Sequence, residues 1–183
     1  MNSQHLLNHA SNAASVTTRA LAWVIGSEEY RPAMLHGIAS DDFERLLERY
    51  FPGAGAGREA LTSSGGCAPL RADEYQDILD LLLEFRVDDS DESVWLSSAV
   101  AAACLGDNHL WQDLGLANRQ ELSDLLGARF PVLYAKNTGN MKWKKFFYKQ
   151  LCERAEIRAC RAPSCAVCGD YAACFGPEEG VIG

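Results

Sequence analysis

Apolar residues recur every three or four positions along most of the chain. The first clear stretch places them at Phe43, Leu46, Leu47, Tyr50 and Phe51. This i, i+3, i+4, i+7 spacing is that of one face of an α-helix. We predict a helix that begins at Asp41, with Asp41 and Glu44 as a capping pair, and that is stopped by Pro52.

Three further stretches carry the same helical signal. One has its apolar positions at Tyr75, Ile78, Leu79, Leu82 and Phe85. The segment VWLSSAVAAACLG, from Val94 to Gly106, is small, apolar and uncharged, which predicts a helix buried at the centre of the fold. Asn118 and Glu121 frame the start of another helix. No stretch alternates apolar and polar residues, so the pattern predicts an all-α protein.

The length and composition favour one helical domain followed by an irregular segment. The chain has 183 residues, of which 48% are hydrophobic, enough for a single packed core. Residues 52–69 are rich in glycine and serine, which indicates a flexible connector. We therefore predict a helical domain over residues 1–157 and a separate segment over residues 158–183.

Net charge and hydropathy exclude several classes of protein. The formal charge of −8 and the pI of about 5.0 argue against a nucleic-acid partner. The apolar run ALAWVIG is too short to cross a bilayer, and the start of the chain lacks the pattern of a secretion signal. We expect a cytoplasmic protein, without membrane contact, whose thiols are reduced.

The stretch CRAPSCAVCGDYAACFG, residues 160–176, holds four of the seven cysteines. They are Cys160, Cys165, Cys168 and Cys174. Thiolates separated by two residues can bind one metal, and soft thiolate ligands select zinc, copper(I) or iron–sulfur clusters. The irregular spacing in one loop favours an iron–sulfur cluster. Structural zinc usually uses two paired C-x2-C knuckles, and this segment has only one such pair. A zinc site and a redox dithiol at Cys165 and Cys168 nevertheless remain open on spacing alone.

The cysteine pattern C-x4-C-x2-C-x5-C is preceded by NHLWQDLGL and MKWKKFFYKQLC and is flanked by CRAP and CFGPE. With these stretches the chain resembles the NifQ family, most strongly over about residues 108–179. The resemblance implies an iron–sulfur cluster that can incorporate molybdenum. Its ligands would be Cys160, Cys165, Cys168 and Cys174.

The resemblance also implies a role in nitrogen fixation. The protein would carry molybdenum and donate it to the biosynthesis of the iron–molybdenum cofactor of nitrogenase, and it would not be an enzyme. Its partners would be the nitrogenase cofactor scaffold proteins and molybdate or another molybdenum source. The alternatives are a zinc-binding module that docks an acidic protein and an iron–sulfur electron carrier.

A basic window leads into the cysteines, with eight basic and two acidic residues between Lys136 and Arg161. We predict a helix from about residue 141 to 156, capped by Asn140. One face carries Lys142, Lys145 and Lys149, which form either a solvated stripe or a docking surface for an acidic partner. Lys144 projects between apolar arcs, so either its stem packs there or its ammonium contacts the cluster or an anion.

Three other side chains could lie near the cysteines. Cys152, on the flank of the same helix, is either a core residue or a fifth thiol near the cluster. His109, within NHLWQDLGL, is either a structural histidine or an outer metal ligand. Cys104, in the small apolar helix, is predicted to lie in the core.

Overall fold

A computed structural model describes residues 2–54, 71–156, 168–169 and 171–178. All regular structure in these residues is helical, which confirms the all-α class. The helices are α1 Ser3–Asn8, α2 Val16–Gly26, α3 Arg31–His36, α4 Ser40–Tyr50, α5 Ala72–Glu84, α6 Asp91–Cys104, α7 Leu110–Asp113, α8 Arg119–Arg129, α9 Pro131–Lys136, α10 Trp143–Arg154 and α11 Tyr171–Phe175.

Helix α6 is the centre of the fold, as its composition predicts. It contacts α2, α3, α4, α5 and α7, and all of residues 95–104 are buried. Its small side chains let the neighbouring helices approach closely. Its buried serines bond within the helix: Ser97 donates to the carbonyl of Ser93 at 2.7 Å and Ser98 to that of Val94 at 3.1 Å. The polar atoms therefore remain satisfied inside the core.

Helix α10 packs against α5 and is tied to α8. Trp143, Phe146 and Phe147 are buried on its inner face. The indole of Trp143 donates to the hydroxyl of Ser123 on α8 at 3.3 Å. This contact brings the N-terminal end of α10 beside α8, where residues 171–178 also lie.

Two predicted caps are wrong. Asn140 has φ of 53°, so it occupies a left-handed turn, and Lys142 is the residue before α10. Asparagine tolerates this conformation, and the turn is closed by Asn137, whose side chain accepts from the amide of Met141 at 2.8 Å. Helix α4 begins at Ser40, and Asp41 lies in its first turn without capping it.

Other expectations about the helices are confirmed. Asn118 caps α8 by accepting from the backbone amide of Glu121 at 3.0 Å. Among the described residues, no helix combines the length and apolar character that a membrane span requires. Most of the connector predicted over residues 52–69 lies outside the described residues.

Candidate functional site

The segment that contains Cys174 lies against the N-terminal end of α10. We call residues 171–178 the tail. The backbone amide of Lys142 donates to the carbonyl of Cys174 at 2.8 Å. Cys168 and Cys174 are half-buried and carry free thiols, whereas Cys160 and Cys165 lie outside the described residues. The structure therefore places the last of the four predicted ligands at the edge of the helical body.

The CFGPE flank explains how the tail sits there. The ring of Phe175 stacks on Tyr171, with ring centroids 4.5 Å apart, and also approaches Gly139. A Cβ at Gly139 would lie 3.2 Å from the Phe175 ring, and one at Gly176 would lie 2.5 Å from the carbonyl oxygen of Ala172. Both glycines therefore allow close approaches that a larger residue would disturb.

The side chain of Arg119, at the start of α8, joins the tail to the turn before α10. One guanidinium nitrogen donates to Glu178 at 2.6 Å. Another donates to the carbonyls of Asn140 and Met141 at 2.9 and 3.0 Å. The Glu178 side chain is only 5% exposed, and its second oxygen lies 3.9 Å from the Nδ1 of His109. The ion pair is thus partly shielded from water.

Lys144 points into the helical body. Its ammonium donates to Asp113 at 2.5 Å and to the carbonyl of Gly106 at 2.6 Å. Asp113 is 2% exposed and also accepts from the hydroxyl of Tyr30 at 2.8 Å and the amide of Asn108 at 2.9 Å. The buried carboxylate is therefore fully hydrogen-bonded, which gives Lys144 a structural role.

Burial and neighbouring charges shift the pKa values of two groups near this ion pair, Cys104 and Tyr30. Burial raises the pKa of the Cys104 thiol to about 12, so this core cysteine stays neutral, as its predicted core position implies. Burial and the hydrogen bond to Asp113 raise the pKa of Tyr30 above its usual range. Both groups are therefore protonated near neutral pH.

A second polar contact fixes the middle of α10 to α5. Tyr148 donates to Glu74, which also pairs with Arg71. The hydrogen bond from Arg71 lowers the pKa of Glu74, although burial opposes the shift. Burial, with the bond to Glu74, raises the pKa of Tyr148. These contacts hold α10 in one orientation relative to the body.

The remaining candidate residues lie along α10. Lys145 and Lys149 are exposed, Lys142 is half-buried, and Lys149 pairs with Glu153 at 3.2 Å. Cys152 is half-buried. Within residues 2–54, 71–156, 168–169 and 171–178, no three His, Cys, Asp or Glu side chains group to hold a metal. That region contains only two of the four predicted cysteine ligands.

Three separated stretches of sequence thus meet at one place. NHLWQDLGL supplies Asp113 and His109, MKWKKFFYKQLC supplies Lys142 and Lys144, and CFGPE supplies residues 174–178 of the tail. They are joined by the Asp113–Lys144 ion pair and by the Lys142–Cys174 backbone bond. Residues that are far apart in the chain therefore lie together in one region of the structure, and this region includes Cys174.

Sequence reasoning missed Arg119, Asp113 and Glu178. Asp113 and Glu178 lie inside the quoted stretches, which is the only signal that could have drawn attention to them. Arg119 follows the predicted cap Asn118, and nothing in its local sequence indicates a partner 59 residues away. Such pairings follow from the tertiary arrangement of the helices.

The fold and site define a class: a protein that is all-helical in its described residues and whose tail, which carries Cys174, is anchored at the edge of the body. A family model described as NifQ matches residues 10–176. Protein NifQ of Azotobacter vinelandii is 44% identical over 151 residues, covering 78% of this chain and 77% of that protein. Protein NifQ of Rhodobacter capsulatus is 36% identical over 142 residues, covering 78% of this chain and 76% of that protein.

A shorter match covers the Klebsiella pneumoniae protein NifQ, 49% identical over 82 residues, or 44% of this chain and 48% of that protein. The chain belongs to the NifQ family. No solved structure matches it.

Proposed function

We propose that this chain carries molybdenum in an iron–sulfur cluster and donates it to the biosynthesis of the iron–molybdenum cofactor of nitrogenase. Membership of the NifQ family is the observation that carries the proposal. The chain would then be a carrier and donor rather than an enzyme. Its partners would be the cofactor scaffold proteins, with molybdate or another source supplying the metal.

The donor set suits such a cluster. Cys160, Cys165, Cys168 and Cys174 would supply four thiolates, the ligands that iron–sulfur clusters use. The two that the structure describes, Cys168 and Cys174, have free and half-buried thiols. Partial burial limits the contact of these thiols with water but leaves them accessible for metal transfer. The cluster would supply a metal position that molybdenum could occupy.

The charges around Cys174 also suit an anionic thiolate cluster. The tail lies at the N-terminal end of the 12-residue helix α10, where the helix dipole favours negative charge. Lys142 stands at the same end, and its backbone amide holds the Cys174 carbonyl. These features support retention of a negatively charged group near Cys174.

The location of Cys174 at the edge of the body supports the proposed role as a molybdenum donor. Core residues such as Cys104 are sealed inside the helices, whereas the tail contributes no buried side chain from α11. A cluster held in part by Cys174 would therefore be reachable by a partner protein. The exposed residues Lys145 and Lys149 lie further along the adjoining helix and offer contacts for an acidic partner surface.

Anaerobic reconstitution tests the proposal. The full chain is incubated with ferrous iron, sulfide and molybdate, and bound metals are measured together with the electron paramagnetic resonance spectrum. We expect bound iron and molybdenum, both lost in Cys168→Ala and Cys174→Ala. The matched control is Cys104→Ala, which removes a core thiol and should retain both metals.

Two outcomes would contradict the proposal. Stoichiometric zinc without iron would make the cysteines a structural zinc site. An iron–sulfur cluster that takes no molybdenum under any of these conditions would make the chain an electron carrier.

A further inference from the structure

We propose that Arg119 is a positioning residue that holds Cys174 in place, and that its ion pair with Glu178 is the contact through which it acts. The inference rests on the proposed function, because it treats Cys174 as a ligand of the cluster. It adds a residue on α8, 55 positions from that cysteine in sequence, to the machinery of the site.

Helix α11 cannot hold its own position. It has five residues, far fewer than an isolated helix needs in water. None of its side chains is fully buried, and its apolar packing against the core comes from the partly buried side chains of Cys174 and Phe175. Because this packing is only partial, the polar contacts that the tail makes with the body are needed to fix the location of Cys174.

Those contacts lie at Cys174 and just after it in the chain. The backbone amide of Lys142 binds the carbonyl of Cys174 itself, and Arg119 binds Glu178 four residues later. A chain segment fixed at only one point can pivot about that point. Fixing it at two points, one near the end of the short helix and one just after it, sets both the position and the direction of the chain from Cys174 to Glu178.

Arg119 contributes to both points. The same guanidinium that binds Glu178 donates to the carbonyls of Asn140 and Met141, the two residues immediately before Lys142. It therefore fixes the segment whose next amide binds Cys174. The planar fork of arginine reaches these acceptors with two separate nitrogens, whereas a lysine carries all of its donors on one nitrogen.

Because the Glu178 side chain is buried, the loss of its ion pair with Arg119 should have a large effect on the position of the tail. The side chains of Arg119 and Glu178 are 22% and 5% exposed, so Glu178 has little water to replace a lost partner. His109 is the other basic group near this carboxylate, and its Nδ1 is 3.9 Å away, beyond hydrogen-bond distance. Without Arg119 we expect Glu178 to leave its place and the tail to separate from α10.

The test compares Arg119→Gln with a matched control, Arg19→Gln. Arg19 also binds a carboxylate on α8, Glu121, at 2.7 Å, and the exposed fractions of these side chains are 30% and 27%. In metal-free protein, the rate at which a maleimide labels Cys174 is followed by mass spectrometry. We expect Arg119→Gln to raise this rate about tenfold and Arg19→Gln to leave it unchanged.

A second measurement links the change to the cluster. Reconstituted Arg119→Gln should bind less iron and molybdenum than the unmodified chain. Glu178→Gln should reproduce both effects, and the double variant should add little, because the two residues act as one unit. Arg119→Lys should restore only part of the protection.

Equal labelling of Cys174 in Arg119→Gln and the unmodified chain would overturn the proposal, as would an equal rise in Arg19→Gln. The labelling uses metal-free protein, so it decides the positioning role even if the unmodified chain takes no iron. That separate result would overturn the proposed function instead.

Discussion

The helical body and the tail are held in place by different kinds of contact. The body is built on buried apolar side chains around α6 and contains an ion pair, Lys144–Asp113, whose carboxylate is 2% exposed. The tail contacts the body through the Lys142–Cys174 backbone hydrogen bond, the partly buried side chains of Cys174 and Phe175, and the Arg119–Glu178 ion pair. The two ion pairs therefore differ in role: Lys144–Asp113 lies within the body, whereas Arg119–Glu178 attaches the tail to the body.

This difference means that the contacts that stabilise the folded body are distinct from those that position the tail. Loss of the buried pair leaves a charge inside the core, so the whole body should be destabilised. Loss of a tail contact releases a short segment that contributes little to the core, so only local order should change. In the proposed carrier role, this division would allow the tail to change its position while the body stays folded.

The largest effect is expected from Asp113→Ala. The change strands the Lys144 ammonium among buried groups and should lower the free energy of unfolding by about 3–5 kcal/mol. Denaturant unfolding followed by circular dichroism measures the loss. The control is Glu153→Ala, which breaks the exposed pair with Lys149 and should cost less than about 1 kcal/mol. A similar small loss in both variants would contradict the buried role of Asp113.

A smaller loss is expected from Lys144→Met. Asp113 keeps Tyr30 and Asn108 as donors, so unfolding should become easier by about 2 kcal/mol. Adding Asp113→Asn removes the unpaired charge and should recover part of the loss, as measured by the same unfolding curves.

The double variant also tests the other interpretation of Lys144, an ammonium directed at the cluster or at an anion. If the recovered protein binds molybdenum as the unmodified chain does, Lys144 is structural. Reduced molybdenum in a fully stable double variant would show a direct role for the ammonium and would contradict the structural assignment.

Phe175→Ala should act on the tail alone. It removes the stacking on Tyr171 and the contact with Gly139, while the free energy of unfolding of the body should change by no more than about 0.5 kcal/mol. Hydrogen exchange should show faster exchange at the amide of Lys142, which binds Cys174. Faster exchange throughout α6 would instead place the tail within the cooperative unit of the body.

The smallest effect concerns Asp88, an exposed residue before α6. Hydrogen bonds from Ser90 and Ser93 lower its pKa to about 2, below the unfolded value of about 3.9. The ionised form therefore stabilises the folded state above about pH 4, and this contribution is lost as pH falls towards 2. The stability difference between the unmodified chain and Asp88→Asn should shrink over that range. A difference that is constant with pH would contradict this.

The sequence predicted the body better than the site. The central helix and the Asn118 cap follow from local composition, because small apolar residues and capping side chains act over a few positions. Asn140 was misjudged because its left-handed conformation depends on hydrogen bonds around Asn137 rather than on its own preference for caps. Such local alternatives are close in energy and are decided by the surrounding turn.

The candidate site required tertiary information. The cysteine spacing predicts a metal-binding segment, but the partners of Lys144 and Arg119 lie 31 and 59 residues away in the sequence. Lys144 also shows that charge alone does not indicate function, because it belongs to a basic window yet its ammonium is bound to Asp113 in the body. Only the packing of α7, α8 and α10 brings these groups together.

The proposed function requires that the four cysteines hold iron and molybdenum in one cluster. X-ray absorption at the molybdenum edge of the anaerobically reconstituted chain tests this most directly. We predict sulfur and iron as near neighbours of molybdenum, with the signal lost in Cys174→Ala. Molybdenum surrounded only by oxygen, or a chain that binds zinc and no iron, would contradict the account.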